Sequence, residues 1–478
     1  MNRLVVFLTF IASVIVAHAS CEWNLQGGTY FMDTINHVKV GPSTTLTSLR
    51  LTGSQNLNVF YTTTDLTNPL LDIKVLKAKN TIFARQEVSG MALDNDNDSS
   101  QFFLGVNADF FNMRRGNSIG SQISNGKPVY VDNNGRTQWA WAENCTPIMD
   151  QMNIKCVVRA GNNIINLSGV NVEENINDIN LYTPLYGKQT DSNSNVLEIA
   201  VVPIDADIAI GKSTKLRVET NPKTGGNMPI PNNGYVISGS GRQCLLMRQI
   251  KKGDILEFSS SINLSNGAEI HPTEVVSGYP VILQDGVTTN PVDILKHLNG
   301  LHPRTAVGNT ADGSKLIILI VDGRSEISDG CTSKVLADIM RYVGCDDAIN
   351  LDGGGSSELY VKELGICNIP SDGEERTVAN GLYVVANVPT DNELASIEIA
   401  NSKTPIKIGE NYVPVVYGYN KYGILIDTNV KGVKLSADKK AGKIAKKGTT
   451  LNASKEGKFI ITVQKNGLTF QSEITIVK

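Results

Sequence analysis

Residues 347–358 read Asp-Ala-Ile-Asn-Leu-Asp-Gly-Gly-Gly-Ser-Ser-Glu: an apolar run that ends in an acid, three glycines and two hydroxyls. The run has the composition of a buried strand, and the glycines let its end approach a ligand without side-chain obstruction. Asp352 offers a carboxylate to attack, activate or stabilise. Gly353, Gly354, Gly355, Ser356 and Ser357 offer amides and hydroxyls to an anion or a sugar. A tight structural turn is the competing reading, since aspartates at strand ends often bond nearby amides.

A second acid stands in a matching context. The apolar run Leu316 to Val321 ends in Asp322-Gly323. Thr332 or Ser333 then caps an expected helix whose apolar face is Val335, Leu336, Ile339, Met340 and Val343, with Gly344 as its stop. Strand, helix, strand at this spacing predicts a right-handed crossover between parallel strands. Asp322 and Asp352 would then share one rim, where open sheets with crossovers place their ligands.

The 478 residues are too many for one ordinary domain. With 41% hydrophobic and 19% charged residues, the chain has enough apolar material for a large core. A net charge of −3 leaves no polybasic footprint and argues against nucleic acid as a partner. Residues 1–19 join a basic start to the apolar run Leu4 to Val16 and end in Ala17-His18-Ala19, as a signal peptide does. The expectation is an exported, periplasmic or secreted protein without a transmembrane span. Cys21 is an alternative lipid attachment point, although His18 stands where a lipobox prefers an aliphatic residue. Export makes disulfides accessible to the seven cysteines, and Cys145 with Cys156 is the expected pair.

Residues 20–90 and 160–300 read as short strands between Gly, Asn and Pro turns. Residues 94–100 open like a calcium loop, but Ser99 and Gly105 occupy the positions of its glycine and glutamate, so a surface loop is expected. Past 388 the alternating runs lack cysteine and histidine and predict a small immunoglobulin-like β-sandwich over 389–478. The fold class expected overall is α+β: a mixed-sheet catalytic domain with helices over 20–388, then the sandwich.

Four groups of residues in order resemble the phosphodiester glycosidase family: Arg304-Thr305-Ala306-Val307-Gly308, Val321-Asp322-Gly323-Arg324, Asn350 to Ser357, and Val378-Ala379-Asn380-Gly381-Leu382. Upstream, residues 106–112, Val-Asn-Ala-Asp-Phe-Phe-Asn, are similar to the family's Asn-Gly-Gly-Phe-Phe element, with Asp109 where many members carry glycine. The likeness runs from about 45 to 388. It implies a hydrolase that releases the capping sugar from a sugar-1-phosphodiester of the N-acetylglucosamine type and leaves a phosphomonoester.

That reaction needs a cation for phosphate and a carboxylate for the sugar centre. For such a reaction Arg304 is the expected phosphate contact, because a guanidinium binds two oxygens at once, and a structural arginine paired with an acid is the competing reading. His302 is a proton donor or a second phosphate contact. Asp352 leads the catalytic acids as nucleophile or general base, ahead of Asp322 and Glu358. Asn107, Asp109 and Asn112 are assigned to sugar hydroxyls. One of Phe110 and Phe111 faces the core if they share a strand. No metal is required, although clustered aspartates can hold a divalent cation, and a monomer is expected. The rival readings are a metal-dependent phosphodiesterase and a non-catalytic glycan-binding envelope protein.

Overall fold

The computed structural model of the chain describes residues 21–142, 146–173, 175–289, 299–445 and 447–478. The expected leader over 1–19 lies outside them, as does Cys145 of the expected disulfide, while Cys156 has a buried thiol. No helix among the described residues is long and apolar enough to cross a membrane.

The α+β expectation is corrected: 49% of the residues are in strands and 7% in helix, and among the described residues the α-helices are Val88–Asn95 and Ser333–Tyr342. The predicted strand–helix–strand unit exists, but it is not the plan of the molecule. Almost every other connection closes by antiparallel pairing, which needs no helix to return the chain.

A nine-stranded sheet carries that unit at its centre. Lys315–Val321 and Asp347–Asn350 both pair antiparallel with Arg304–Asn309, which lies between them. They therefore run in the same direction, and Asp322 and Asp352 follow their carboxyl ends at one rim, as the spacing predicts. Side chains of Lys315–Val321 alternate between two cores. Ile317, Leu319 and Val321 meet Val335, Leu336, Ile339 and Met340 of the helix. Ile318 and Ile320 meet Val75, Leu104, Val106, Leu382 and Val384 of a five-stranded sheet stacked on the other face. The helix begins where expected, with the Thr332 hydroxyl accepting from Val335 N at 3.3 Å, and Gly344 follows it at φ +103°.

A fifteen-stranded sheet takes up most of residues 122–278 around its own core of Ile199, Val201, Ile237, Leu256 and Phe258. Residues 396–477 form three small sheets around Ile397, Leu435, Leu451, Ile461 and Ile474. Ala400 and Ile424 from this part join the core under the nine-stranded sheet, and the Tyr419 hydroxyl donates to Lys39 O at 2.9 Å.

Candidate functional site

The turn after Asp347–Asn350 is held from three sides. Leu351 N bonds Thr305 O, Asp352 N bonds Ala108 O, and Gly354 N bonds Pro303 O, each at 2.9 Å. Asn107, fully buried at the end of Gln101–Asn107, donates from Nδ2 to Asp352 O at 2.7 Å. Its Oδ1 accepts from Thr305 Oγ1 at 3.0 Å and Glu358 N at 3.3 Å. Gly354 has φ +67°, where a side chain would be strained, and a Cβ on Gly353 would meet Pro303 O at 2.9 Å. The amides of Ser356 and Ser357 bond Gly353 O and Gly354 O, so they are spent within the turn.

Asp352 stays partly accessible in this frame. Burial pushes its carboxyl up to about 6, against the pull of the Ser356 hydroxyl, Gly353 N, Arg376 and Arg136. Asp109 lies close enough for the Asp352 charge to be felt. It is 2% exposed; one oxygen accepts from Gly120 N at 2.9 Å, and the other, Oδ1, is buried without a hydrogen-bond partner. Burial raises Asp109 to about 8, opposed by Arg136 and the Gly120 amide and reinforced by Asp352. Burial raises both carboxyls, Asp109 further than Asp352, so Asp352 is the first of the two to ionise as pH rises. Arg136 completes the group, its guanidinium 5.1 Å from the Phe110 ring centre and 5.9 Å from that of Tyr279, with Nη1 buried and unpartnered. Phe111 is buried and Phe110 is half-exposed, the alternation expected of adjacent side chains.

The other expected residues take different places. Asp322 is buried, accepts from Asn368 Nδ2 at 3.1 Å and from Ile369 N at 3.2 Å, and burial lifts it to about 7. Asn368 donates in turn to Ser357 O at 2.9 Å, so Asp322 reaches the glycine turn through a bond that shapes it. Glu358 is fully buried, accepts from Arg376 N, and is raised by burial to about 9, with Oε2 unpartnered. Ser357 Oγ bonds Thr305 Oγ1 at 3.1 Å. Asn112 is exposed and closes its own turn by accepting from Arg114 N and Arg115 N. Arg304 is 3% exposed and donates to Cys331 O at 2.9 Å and Gly300 O at 2.8 Å, so its fork is engaged by backbone carbonyls. His302 is half-buried, with Nδ1 3.3 Å from Arg324 Nη2.

Sequence reasoning missed Arg136, Tyr279, Arg324, Arg376 and Asn380. Asn380 Oδ1 accepts from Asp109 N at 2.9 Å, and its Nδ2 donates to Ser118 and Gln122. Arg324 and Asn380 lie inside the motifs quoted for the family, which was the available signal. Among the described residues, Asp285, Asp346 and Asp347 are the acids grouped closely enough to hold an ion, and they sit at the opposite end of Asp347–Asn350 from Asp352.

Comparison with known proteins bears on the same residues. Residues 206–385 match the phosphodiester glycosidase family. The matched stretch holds Asp322, Asp352 and Glu358 and points to glycosidase chemistry on a carbohydrate; Asn107, Asp109 and Arg136 precede it. The SPbeta prophage-derived protein YomE of Bacillus subtilis is 46% identical over 128 residues, 27% of this chain and 19% of its own length. The chain thus corresponds to a small part of that relative. A protein from Synechocystis superposes with a TM-score of 0.57 at 17% identity, covering 75% of this chain and 68% of its own. A Burkholderia pseudomallei protein described as exported gives 0.55 at 18%, covering 70% and 74%. At such identities the likeness is one of fold.

Proposed function

We propose that this chain is an exported hydrolase that cleaves the sugar C–O bond of sugar-1-phosphodiesters of the N-acetylglucosamine type, releasing the capping sugar and leaving a phosphomonoester. The reading rests on one observation: a partly accessible carboxylate, Asp352, on a glycine turn, beside a buried carboxyl, Asp109, with one unpartnered oxygen. Two carboxyls held at different protonation are what acid–base cleavage of a glycosidic bond uses. Ionised Asp352 serves the anomeric carbon, as nucleophile or as base for water. Protonated Asp109 gives its proton to the departing phosphate oxygen. Asn107 and Asp322 hold the turn on which this depends.

The family match over residues 206–385 supports the reaction class, and the Burkholderia neighbour supports export. We assign 20–388 to the catalytic domain and 389–478 to an immunoglobulin-like module. Hydrolysis in ¹⁸O-labelled water, quenched before anomeric exchange, tests the reaction. Label in the released sugar is expected. Label in the phosphate places the cleavage at P–O and overturns the reading in favour of a phosphodiesterase.

A further inference from the structure

The glycosidase reading requires a cation at the phosphate, and Arg304 is occupied by the carbonyls of Gly300 and Cys331. Other guanidiniums stand on the glycine turn itself. A Cβ on Gly354 would lie 3.0 Å from Arg324 Nη2, and a Cβ on Gly355 would lie 2.0 Å from Arg376 Nη2. Side chains at these positions would displace both arginines, so the two glycines are the room the guanidiniums occupy. The two guanidiniums therefore approach adjacent residues of the turn that begins at Asp352.

Their surroundings differ. Arg376 is paired with Asp372, through Nε to Oδ2 at 2.8 Å, and reaches Ser356 Oγ at 3.4 Å. Arg324 is exposed, and among the described residues no carboxylate lies within ion-pair distance of it. Its guanidinium lies 3.3 Å from His302 Nδ1 through Nη2, and it is near enough to Arg304 for the two like charges to repel. Its backbone is left-handed at φ +60°, a costly conformation for a residue with a side chain. The loop that imposes it is tightly held. Ser328 Oγ donates to Asp322 O at 2.7 Å, Asp329 N bonds Asn56 O at 2.8 Å, and a Cβ on Gly323 would meet Gly330 Cα at 2.7 Å. A cation on a strained backbone, with no carboxylate partner among the described residues, on a glycine turn that a second guanidinium also reaches, is a place prepared for an anion.

We propose that Arg324 and Arg376 form the phosphate site of this chain, with His302 positioning Arg324. The assignment rests on the glycosidase reading for what is attached to the phosphate, but the anion site can be tested without turnover. The probe is inorganic phosphate, titrated into the full chain at low salt by calorimetry. Wild type should bind. Arg324→Gln should weaken binding roughly tenfold or more, the magnitude of a lost charge-assisted bidentate contact, and Arg324→Gln/Arg376→Gln should abolish it. Asp372→Asn, which releases Arg376 from its ion pair, should tighten binding several-fold, an effect that structural damage does not mimic.

Arg324→Lys, which keeps the charge and loses the fork, should fall between wild type and Arg324→Gln, and covers the case in which Arg324→Gln does not fold. Wild type that binds no phosphate, or an Arg324→Gln protein that binds it as wild type does, overturns the proposal. Arginine-dependent phosphate binding in a protein that cleaves no sugar-1-phosphodiester sinks the glycosidase reading and leaves the anion site standing. Cleavage unaffected by the double substitution sinks the anion site alone.

Discussion

Asp109→Asn separates the working acid from a merely buried one. Burial raises the Asp109 carboxyl from 3.8 to about 8, so folding favours its protonated form. A group whose folded value lies above its unfolded value contributes fully below the unfolded value, and that contribution is lost as pH rises through the folded value. Between pH 5 and pH 8 the wild type should therefore lose at most about 4 kcal/mol through this one residue. Asparagine cannot ionise and escapes the loss. It keeps an oxygen for Gly120 N and leaves its amide where the unpartnered oxygen now lies, so the two side chains are near parity when both are neutral. Urea unfolding of both proteins at pH 5 and pH 8 reads the difference directly. Other raised acids, Asp322 and Glu358 among them, act with the same sign in both proteins and cancel. The asparagine variant should be the more stable protein at pH 8 and the poorer catalyst, losing about 10²- to 10⁴-fold in turnover as a general acid would. Parallel stability profiles for the two proteins refute the protonated state. Unchanged turnover refutes the acid role.

Asp352→Asn should remove at least about 10²-fold of turnover with little change in thermal stability, because Gly353 N can still bond the amide oxygen; near-wild-type rates would exclude Asp352 from the chemistry. The wild-type pH–rate profile should be bell-shaped, rising through about 6 as Asp352 ionises and falling through about 8 as Asp109 does, with both limbs belonging to the pair. A profile flat between pH 5 and pH 9 would exclude the pair. Arg304→Gln should cost about 3 kcal/mol of stability by orphaning the carbonyls of Gly300 and Cys331, while phosphate affinity stays within about twofold; unfolding and phosphate titration of the same sample check both halves.

Local patterns in the chain were readable, and distant pairings were not. The helix over Ser333–Tyr342 and its glycine stop follow from spacing alone, as does the common rim of Asp322 and Asp352, whereas the choice of Thr332 over Ser333 as cap is made by the fold. The α+β expectation failed because the crossover unit was taken as typical. The strand inserted into it, Arg304–Asn309, and the return of Asn56–Asp65 to Lys315–Val321 are pairings that no periodicity announces. Arg304 illustrates the same limit at one residue. Its position beside the rim was legible, but the carbonyls that capture its fork come from residues 300 and 331, and only the folded loop brings the second one in. Arg136 lay outside every quoted motif. Its place between Phe110 and Tyr279 depends on the fifteen-stranded sheet meeting the central layers, which sequence patterning does not specify.

Asn107 carries a consequence for how activity appears during folding. It belongs to the five-stranded sheet, yet its one amide group bonds a turn carbonyl, a hydroxyl on the nine-stranded sheet and the Glu358 amide. Neither layer alone can set the turn, so a half-assembled chain has no partial activity to lose. Recovery of turnover on refolding should report a single event, the docking of the two layers, and lag behind the signal of either layer forming by itself.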